Sequence, residues 1–191
     1  MSTLVMVLRT VSLLAFAGPM LLGITARRRE PKTRARHGGA PRAPVVANLA
    51  AFGLFFPLLV IFSGSSEGSM ALPIALSGCL LALGGAALVL RSRAELGPAW
   101  SFVPKADEGT GLVTTGPYRL VRHPIYLGLS LLAVGEALAF GSCPALLIVL
   151  SGIVPTFAWR ACAEETLLSS TFGERYQLYQ GQTKMIIPHL F

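Results

Sequence analysis

The sequence predicts an all-α integral membrane chain. About five transmembrane helices are expected, three single spans followed by a helical hairpin, with a cytoplasmic C-terminal amphipathic helix. Three observations carry that prediction. Apolar residues make up 53% of the 191 residues and charged residues only 13%, against about 25% charged in an ordinary soluble domain. The apolar residues are gathered into runs of membrane length. The sixteen lysines and arginines are spread unevenly over the segments between those runs. A single membrane domain, residues 1–191, accommodates this length.

A helix of about 20 apolar residues crosses a bilayer core of about 30 Å. The first run, about 4–24, carries only Arg9. Its length and weakly basic start also suit a signal peptide, but the strongly basic stretch after it suits a cytoplasmic anchor and not a cleavage site. The second and third runs, about 45–62 and 71–90, carry no charge. The fourth, 125–159, carries only Glu136 and is interrupted by Gly141-Ser142-Cys143-Pro144. Those turn residues divide it into a hairpin of spans, about 125–140 and 143–159. Both halves are short, so they cross a thinned region or pack on other helices.

The charges test this layout independently. Ala26–Pro44 holds seven cations, Arg91–Pro124 five and the tail three, which is fifteen of the sixteen. In a five-span chain all three segments fall on one side. The positive-inside rule then places the N-terminus outside and the C-terminus in the cytoplasm, in a plasma or inner membrane. The net charge of +7 is thereby read as a determinant of topology that meets anionic lipid head groups. Nucleic-acid binding is not expected, because no aromatic residues interleave the basic ones. Three unpatterned cysteines, Cys79, Cys143 and Cys162, predict neither a disulfide framework nor a metal centre.

Chemistry is confined to two cytoplasmic segments, 91–124 and 160–191. Neither is long enough for a Rossmann unit, and Gly109-Thr110-Gly111 is only a fragment of a dinucleotide fingerprint. The first segment ends in Gly116-Pro117-Tyr118-Arg119-Leu120-Val121-Arg122-His123-Pro124-Ile125-Tyr126. Gly116-Pro117 is a turn. His123 precedes a proline and is biased toward extended backbone, and Pro124 suits the first position of the fourth span. His123 and Tyr126 therefore share a helix entrance, where backbone N–H groups favour anions. Arg119 and Arg122 add positive charge there, although arginines and tyrosine at that depth also mark a membrane boundary.

In the second segment Arg160 and Glu164 stand four residues apart and share a helix face if the fifth helix continues inward. The same spacing also describes an ordinary surface ion pair. Leu168, Phe172, Tyr176 and Tyr179 extend an apolar stripe at helical spacing along the tail. Glu136, alone among apolar residues, is a functional candidate, but its place near the outer surface favours a solvated or protonated structural role. Gly78, Gly84 and Gly85 are read as permitting close helix packing. His37 and His189 are read as loop and tail residues.

The run from Leu112 to Gly128, the Glu164-Glu165 pair, and Phe172-Gly173-Glu174-Arg175-Tyr176 with Ile187-Pro188 resemble the isoprenylcysteine carboxyl methyltransferase family. That family is related to the membrane phospholipid N-methyltransferases. Leu96-Gly97-Pro98-Ala99-Trp100-Ser101 resembles a family element preceding them, and the resemblance covers roughly residues 91–191. It implies a helical membrane fold with a cytoplasmic site for S-adenosylmethionine. It implies cofactor contacts from Leu112, Val113, Tyr118, His123, Tyr126 and Glu164, and catalytic roles for Arg160, near the acceptor, and Glu165. The acceptor it implies is a lipophilic small molecule or a lipidated group entering from the bilayer. One departure is local: Gly109-Thr110-Gly111 stands where eukaryotic carboxyl methyltransferases often carry a histidine. Two other readings remain open, an NADPH-dependent membrane reductase related to sterol reductases and a non-catalytic membrane protein.

Overall fold

The computed structural model describes residues 3–27, 42–64, 70–97 and 111–187. The basic run 28–41, residues 65–69, the stretch 98–110 with Lys105, and residues 188–191 lie outside the described residues. Among the described residues the chain is helical, with one isolated parallel bridge between Val121 and Lys184. The helices are α1 (Thr3–Arg27), α2 (Arg42–Ile61), α3 (Ala71–Leu96), α4 (Pro124–Phe140), α5 (Cys143–Ile148), α6 (Val154–Phe172) and α7 (Glu174–Gln182). A 3-10 turn, Gly116–Arg119, precedes α4, and a π turn, Val149–Ile153, joins α5 to α6 in one rod.

Among the described residues, three helices are long and apolar enough to cross a membrane: Ala43–Ile61, Ala71–Leu96 and Cys143–Phe172. Two shorter apolar helices, Thr3–Pro19 and Pro124–Phe140, accompany them. Leu54, Val60, Leu80, Leu147 and Leu150 are exposed on the helix surfaces, a pattern that costs nothing in lipid and much in water.

The expected hairpin is present, and its causes are local. Pro124 lies in the first turn of α4, with His123 as the preceding cap residue. Gly141 ends α4 in the left-handed conformation, φ 65°, where a side chain would be strained. Ser142 then caps α5, its hydroxyl accepting from the Ala145 amide at 3.4 Å.

The closest helix pair is α3 with α4, and glycine makes it possible. A Cβ on Gly78 would lie 2.4 Å from the Ala139 nitrogen, and one on Gly135 would lie 2.5 Å from the Ala82 nitrogen. Of the three glycines expected to serve packing in the third span, Gly78 and Gly85 do so. Gly84 faces open space. Inside a bilayer such close contact replaces the hydrophobic drive that water would supply. Phe16, Ala82, Ala86, Val89 and Leu132 form a core between α1, α3 and α4. A second core of Phe55, Leu59, Ala137, Val149, Ile153 and Phe157 joins α2 and α4 to the rod.

Glu136 is fully buried, which overturns the expected solvated position near the outer surface. Ser12 donates to its Oε2 at 3.1 Å. One turn away, Arg9 donates to the Ala139 and Phe140 carbonyls at 3.0 and 3.1 Å, with its guanidinium 5.3 Å over the Phe140 ring. The charge of Arg9 thus meets carbonyls that the end of α4 leaves unpaired. The tail also departs from expectation. Gly173, at φ 54°, breaks the helix after Phe172, so Tyr176 and Tyr179 come from α7 and do not continue one stripe. A positive φ of that kind is cheap for glycine alone.

Candidate active site

The segment 121–126, the C-terminal half of α6 and the tail helix α7 converge at the entrance of α4. Pro117 and Tyr118 are buried in the 3-10 turn, and the Tyr118 carbonyl accepts from the Tyr179 hydroxyl at 2.6 Å. Burial pushes the Tyr118 hydroxyl well above its ordinary range. The chain then runs beside the tail: the Arg122 amide donates to the Lys184 carbonyl at 2.8 Å and the His123 amide to the Met185 carbonyl at 2.9 Å. Leu112 and Val113 lie half-buried in the irregular segment before the turn.

His123 stands between the two adjacent acids of α6. Its Nδ1 is 3.6 Å from Glu164 Oε2 and its Nε2 is 3.3 Å from Glu165 Oε1. The ring stacks on Tyr126, with centroids 5.6 Å apart and planes within 7°. Tyr126 in turn stacks on Phe157, 5.0 Å away at 16°. Three rings thus form a column from the segment before α4 into the spanning part of the rod. The Tyr126 hydroxyl donates to Glu164 Oε1. Arg160 lies with its guanidinium 5.3 Å over the Tyr126 ring and 3.9 Å from Glu164 Oε1, so the i,i+4 pair is part of the cluster.

The two acids lie beyond the apolar stretch 143–159, and their surroundings separate them. Glu164 is raised above its ordinary value: burial outweighs His123, the Tyr126 hydrogen bond and Arg160. Burial would also raise Glu165, but hydrogen bonds from His123 and Arg122 overcome it and hold the carboxyl at about 2. Arg122 reaches Glu165 in a fork, Nε at 2.6 Å and the second nitrogen at 3.2 Å. Its remaining nitrogen donates to the Gln180 and Thr183 carbonyls at the end of α7. Such bidentate pairs add geometric precision as well as energy.

Of the residues expected at a site, His123, Tyr126, Arg160, Glu164 and Glu165 meet directly. Tyr118 supports the tail through its carbonyl, and Leu112 and Val113 lie half-buried before the turn without a contact to the cluster that the structure records. Phe157 and Gln180 are additions that the sequence did not reveal. Phe157 reads as one more apolar residue of a span. Gln180 reads as a polar residue of a surface helix. Among the described residues no group of His, Cys, Asp and Glu suits a metal ion.

The fold and the site define a class: a helical membrane protein whose polar cluster is gathered at the ends of α4 and the long rod. Residues 74–175 match the phospholipid methyltransferase (PEMT) family model. The chain is 33% identical over 103 residues to protein-S-isoprenylcysteine O-methyltransferase of Schizosaccharomyces pombe, an alignment of 52% of this chain and 44% of that one. It is 30% identical over 137 residues to the protein of the same name from Saccharomyces cerevisiae, covering 71% and 56%. The chain therefore spans about half the length of the curated relatives it matches. Its fold resembles the solved eukaryotic intramembrane Ras methyltransferase ICMT (isoprenylcysteine carboxyl methyltransferase), with a TM-score of 0.60 and 20% identity over 94% of this chain and 68% of that one. The chain belongs to the phospholipid methyltransferase family.

Proposed function

We propose that the chain is an integral membrane methyltransferase that uses S-adenosylmethionine. Its acceptor is a lipophilic or amphipathic molecule, isoprenylcysteine-carboxylate-like or phospholipid-like, that enters from the bilayer. The observation that carries this reading is the meeting of His123, Tyr126, Arg160 and Glu164 within the segment the family model matches. In the membrane the helices form five spans, with the N-terminus outside and the site at the cytoplasmic face. That arrangement rests on the cation distribution.

The residues fit such a donor by their chemistry. S-adenosylmethionine, when bound, supplies a methyl group on a positively charged sulfonium, beside an ammonium, a carboxylate and an adenine. Glu164 offers a buried carboxyl to the positive groups, Tyr126 and His123 offer ring faces, and the entrance of α4 favours a carboxylate. Leu112, Val113 and Tyr118 supply apolar surface for the adenosine. Arg160 serves the anionic head of the acceptor. Glu165 holds His123 in place, and Arg122 holds Glu165.

Methyl transfer from a sulfonium is an in-line displacement, so the protein contributes chiefly position. A carboxylate acceptor needs no base. An amine or thiol acceptor needs one, and Glu164, whose carboxyl burial raises, suits that task better than Glu165.

Calorimetry of detergent-solubilised protein with S-adenosylmethionine, and with NADPH in parallel, tests the reading. Saturable S-adenosylmethionine binding that His123→Ala and Glu164→Ala abolish, with both variants folded, is expected. Binding of NADPH in its place overturns the proposal in favour of a reductase.

A further inference from the structure

Gln180 is the least conspicuous member of the cluster, and its geometry is specific. Its Nε2 donates to Glu165 Oε2 at 3.0 Å. A carboxylate only accepts, so the amide must present its nitrogen. Arg122 Nε and His123 Nε2 converge on the other oxygen, Oε1, at 2.6 and 3.3 Å, and the second arm of the Arg122 fork reaches Oε2 at 3.2 Å beside Gln180. The Glu165 carboxylate is therefore held at both ends by groups from two elements, the segment before α4 and the helix α7. Gln180 arrives there independently of its own side chain. Helix α7 is pinned by Tyr179 on the Tyr118 carbonyl, by Arg122 on the Gln180 and Thr183 carbonyls, and by the backbone bonds from Arg122 and His123 to Lys184 and Met185.

Without the Gln180 amide, Oε2 keeps only the longer arm of the Arg122 fork, at 3.2 Å, and the carboxylate is freer to pivot. Pivoting of Glu165 would release the His123 ring, whose opposite nitrogen faces Glu164. We propose that Gln180 is a positioning residue of the site: its amide locks Glu165, and through Glu165 it sets the orientation of the His123 ring beside Glu164. This rests on the reading of the cluster as a methyl-donor site. It assigns to the tail helix a part in ligand binding that involves no contact with the ligand.

The test is calorimetric affinity for S-adenosylmethionine in detergent, with melting temperature as the folding control. Wild type, Gln180→Leu, Gln180→Lys, Glu165→Gln and the double variant Gln180→Leu/Glu165→Gln are compared. Loss of a hydrogen bond to a charged group is expected to weaken binding by Gln180→Leu about tenfold. Gln180→Lys, which restores a donor, is expected to bind within about threefold of wild type. The double variant is expected to bind no more weakly than Glu165→Gln, because both changes act through one carboxylate. If Gln180→Leu does not fold, the Gln180→Lys and Glu165→Gln comparison with Gln180→Met decides in the same way. Unchanged affinity in Gln180→Leu, no rescue by lysine, or losses that add in the double variant would overturn the proposal. Wild type that fails to bind overturns the reading of the site and this proposal together. Wild type that binds while Gln180→Leu is unaffected overturns this proposal alone.

Discussion

Gly85 and Gly128 face each other across the α3–α4 seam so closely that a Cβ on Gly85 would lie 2.6 Å from the Gly128 carbonyl oxygen. The neighbouring obstacle is backbone as well: the same Cβ would lie 2.7 Å from the Leu132 nitrogen. Neither can yield as the end of a flexible side chain can. Gly85→Val is therefore expected to destabilise the protein by about 1–3 kcal/mol through overpacking. Gly84→Val, one residue away and open, is expected to be nearly silent. Melting temperatures of the two variants in the same detergent check this, and equal values would refute the seam.

The Tyr126 ring and its hydroxyl have separable tasks. Tyr126→Phe keeps the stack on His123 and Phe157 but removes the hydrogen bond to Glu164. Its affinity for S-adenosylmethionine is expected to fall roughly tenfold, the effect of one hydrogen bond to a charged group. Tyr126→Ala also removes the face beneath Arg160 and is expected to fall further. Titration of both variants distinguishes the contributions.

Stability against acid follows from Glu165. Its folded value, about 2, lies below the ordinary 4.5, so its ionised form stabilises the fold fully above about pH 4.5. That contribution drains away as the pH falls toward about 2. Arg122→Gln removes the forked pair and lessens the depression. The variant is expected to melt below wild type at neutral pH, and the gap is expected to narrow below pH 4.5. Glu164 has the opposite sign, because its raised value makes ionisation costly and acid relieves that cost. Glu164→Gln is accordingly expected to melt no lower than wild type at neutral pH. A gap for Arg122→Gln that does not change with pH would contradict the assignment.

Arg9 and Glu136 lie in the fold and away from the candidate site. Arg9→Met leaves the Ala139 and Phe140 carbonyls without their guanidinium, at an expected cost of about 1–3 kcal/mol. Affinity for S-adenosylmethionine is expected to stay at the wild-type level. A parallel loss of affinity in a folded Arg9→Met would show that the C-terminal end of α4 controls its N-terminal end.

The sequence disclosed the apolar helices because membrane length is a property of single segments. Gly141 and Ser142 were legible as a turn for the same reason, while Cys143 and Pro144, read with them, already belong to α5. The cluster was legible where its parts are close in sequence: His123 with Tyr126, and Arg160 with Glu164. What joins those pairs was not. Phe157 meets Tyr126 only because α4 and the rod are antiparallel neighbours, and a span rich in apolar residues does not mark which one stacks. Gln180 was hidden by Gly173: helical periodicity carried through Phe172 treats the tail as one helix, and a single left-handed residue redirects it. Glu136 looked close to water by counting residues to the turn. Its burial depends on α1, whose Ser12 and Arg9 are more than 120 positions away.

The π turn at Val149–Ile153 has a consequence for phase. Ala145, Val149, Ile153, Phe157 and Ala161 recur at every fourth residue, and all are buried. In a uniform α-helix each step of four residues drifts by about 40°, so Ala161 would finish about 160° around the axis from Ala145. One π turn absorbs an additional residue and so removes about 100° of that drift. The two halves of the rod are thus read in different registers, and both present their small and aromatic residues to the same neighbours. Arg160 and Glu164 inherit the corrected register. If the same residues wound as a uniform α-helix, Arg160 and Glu164 would swing about 100° away from Tyr126, with every side chain of the cluster still present in the chain.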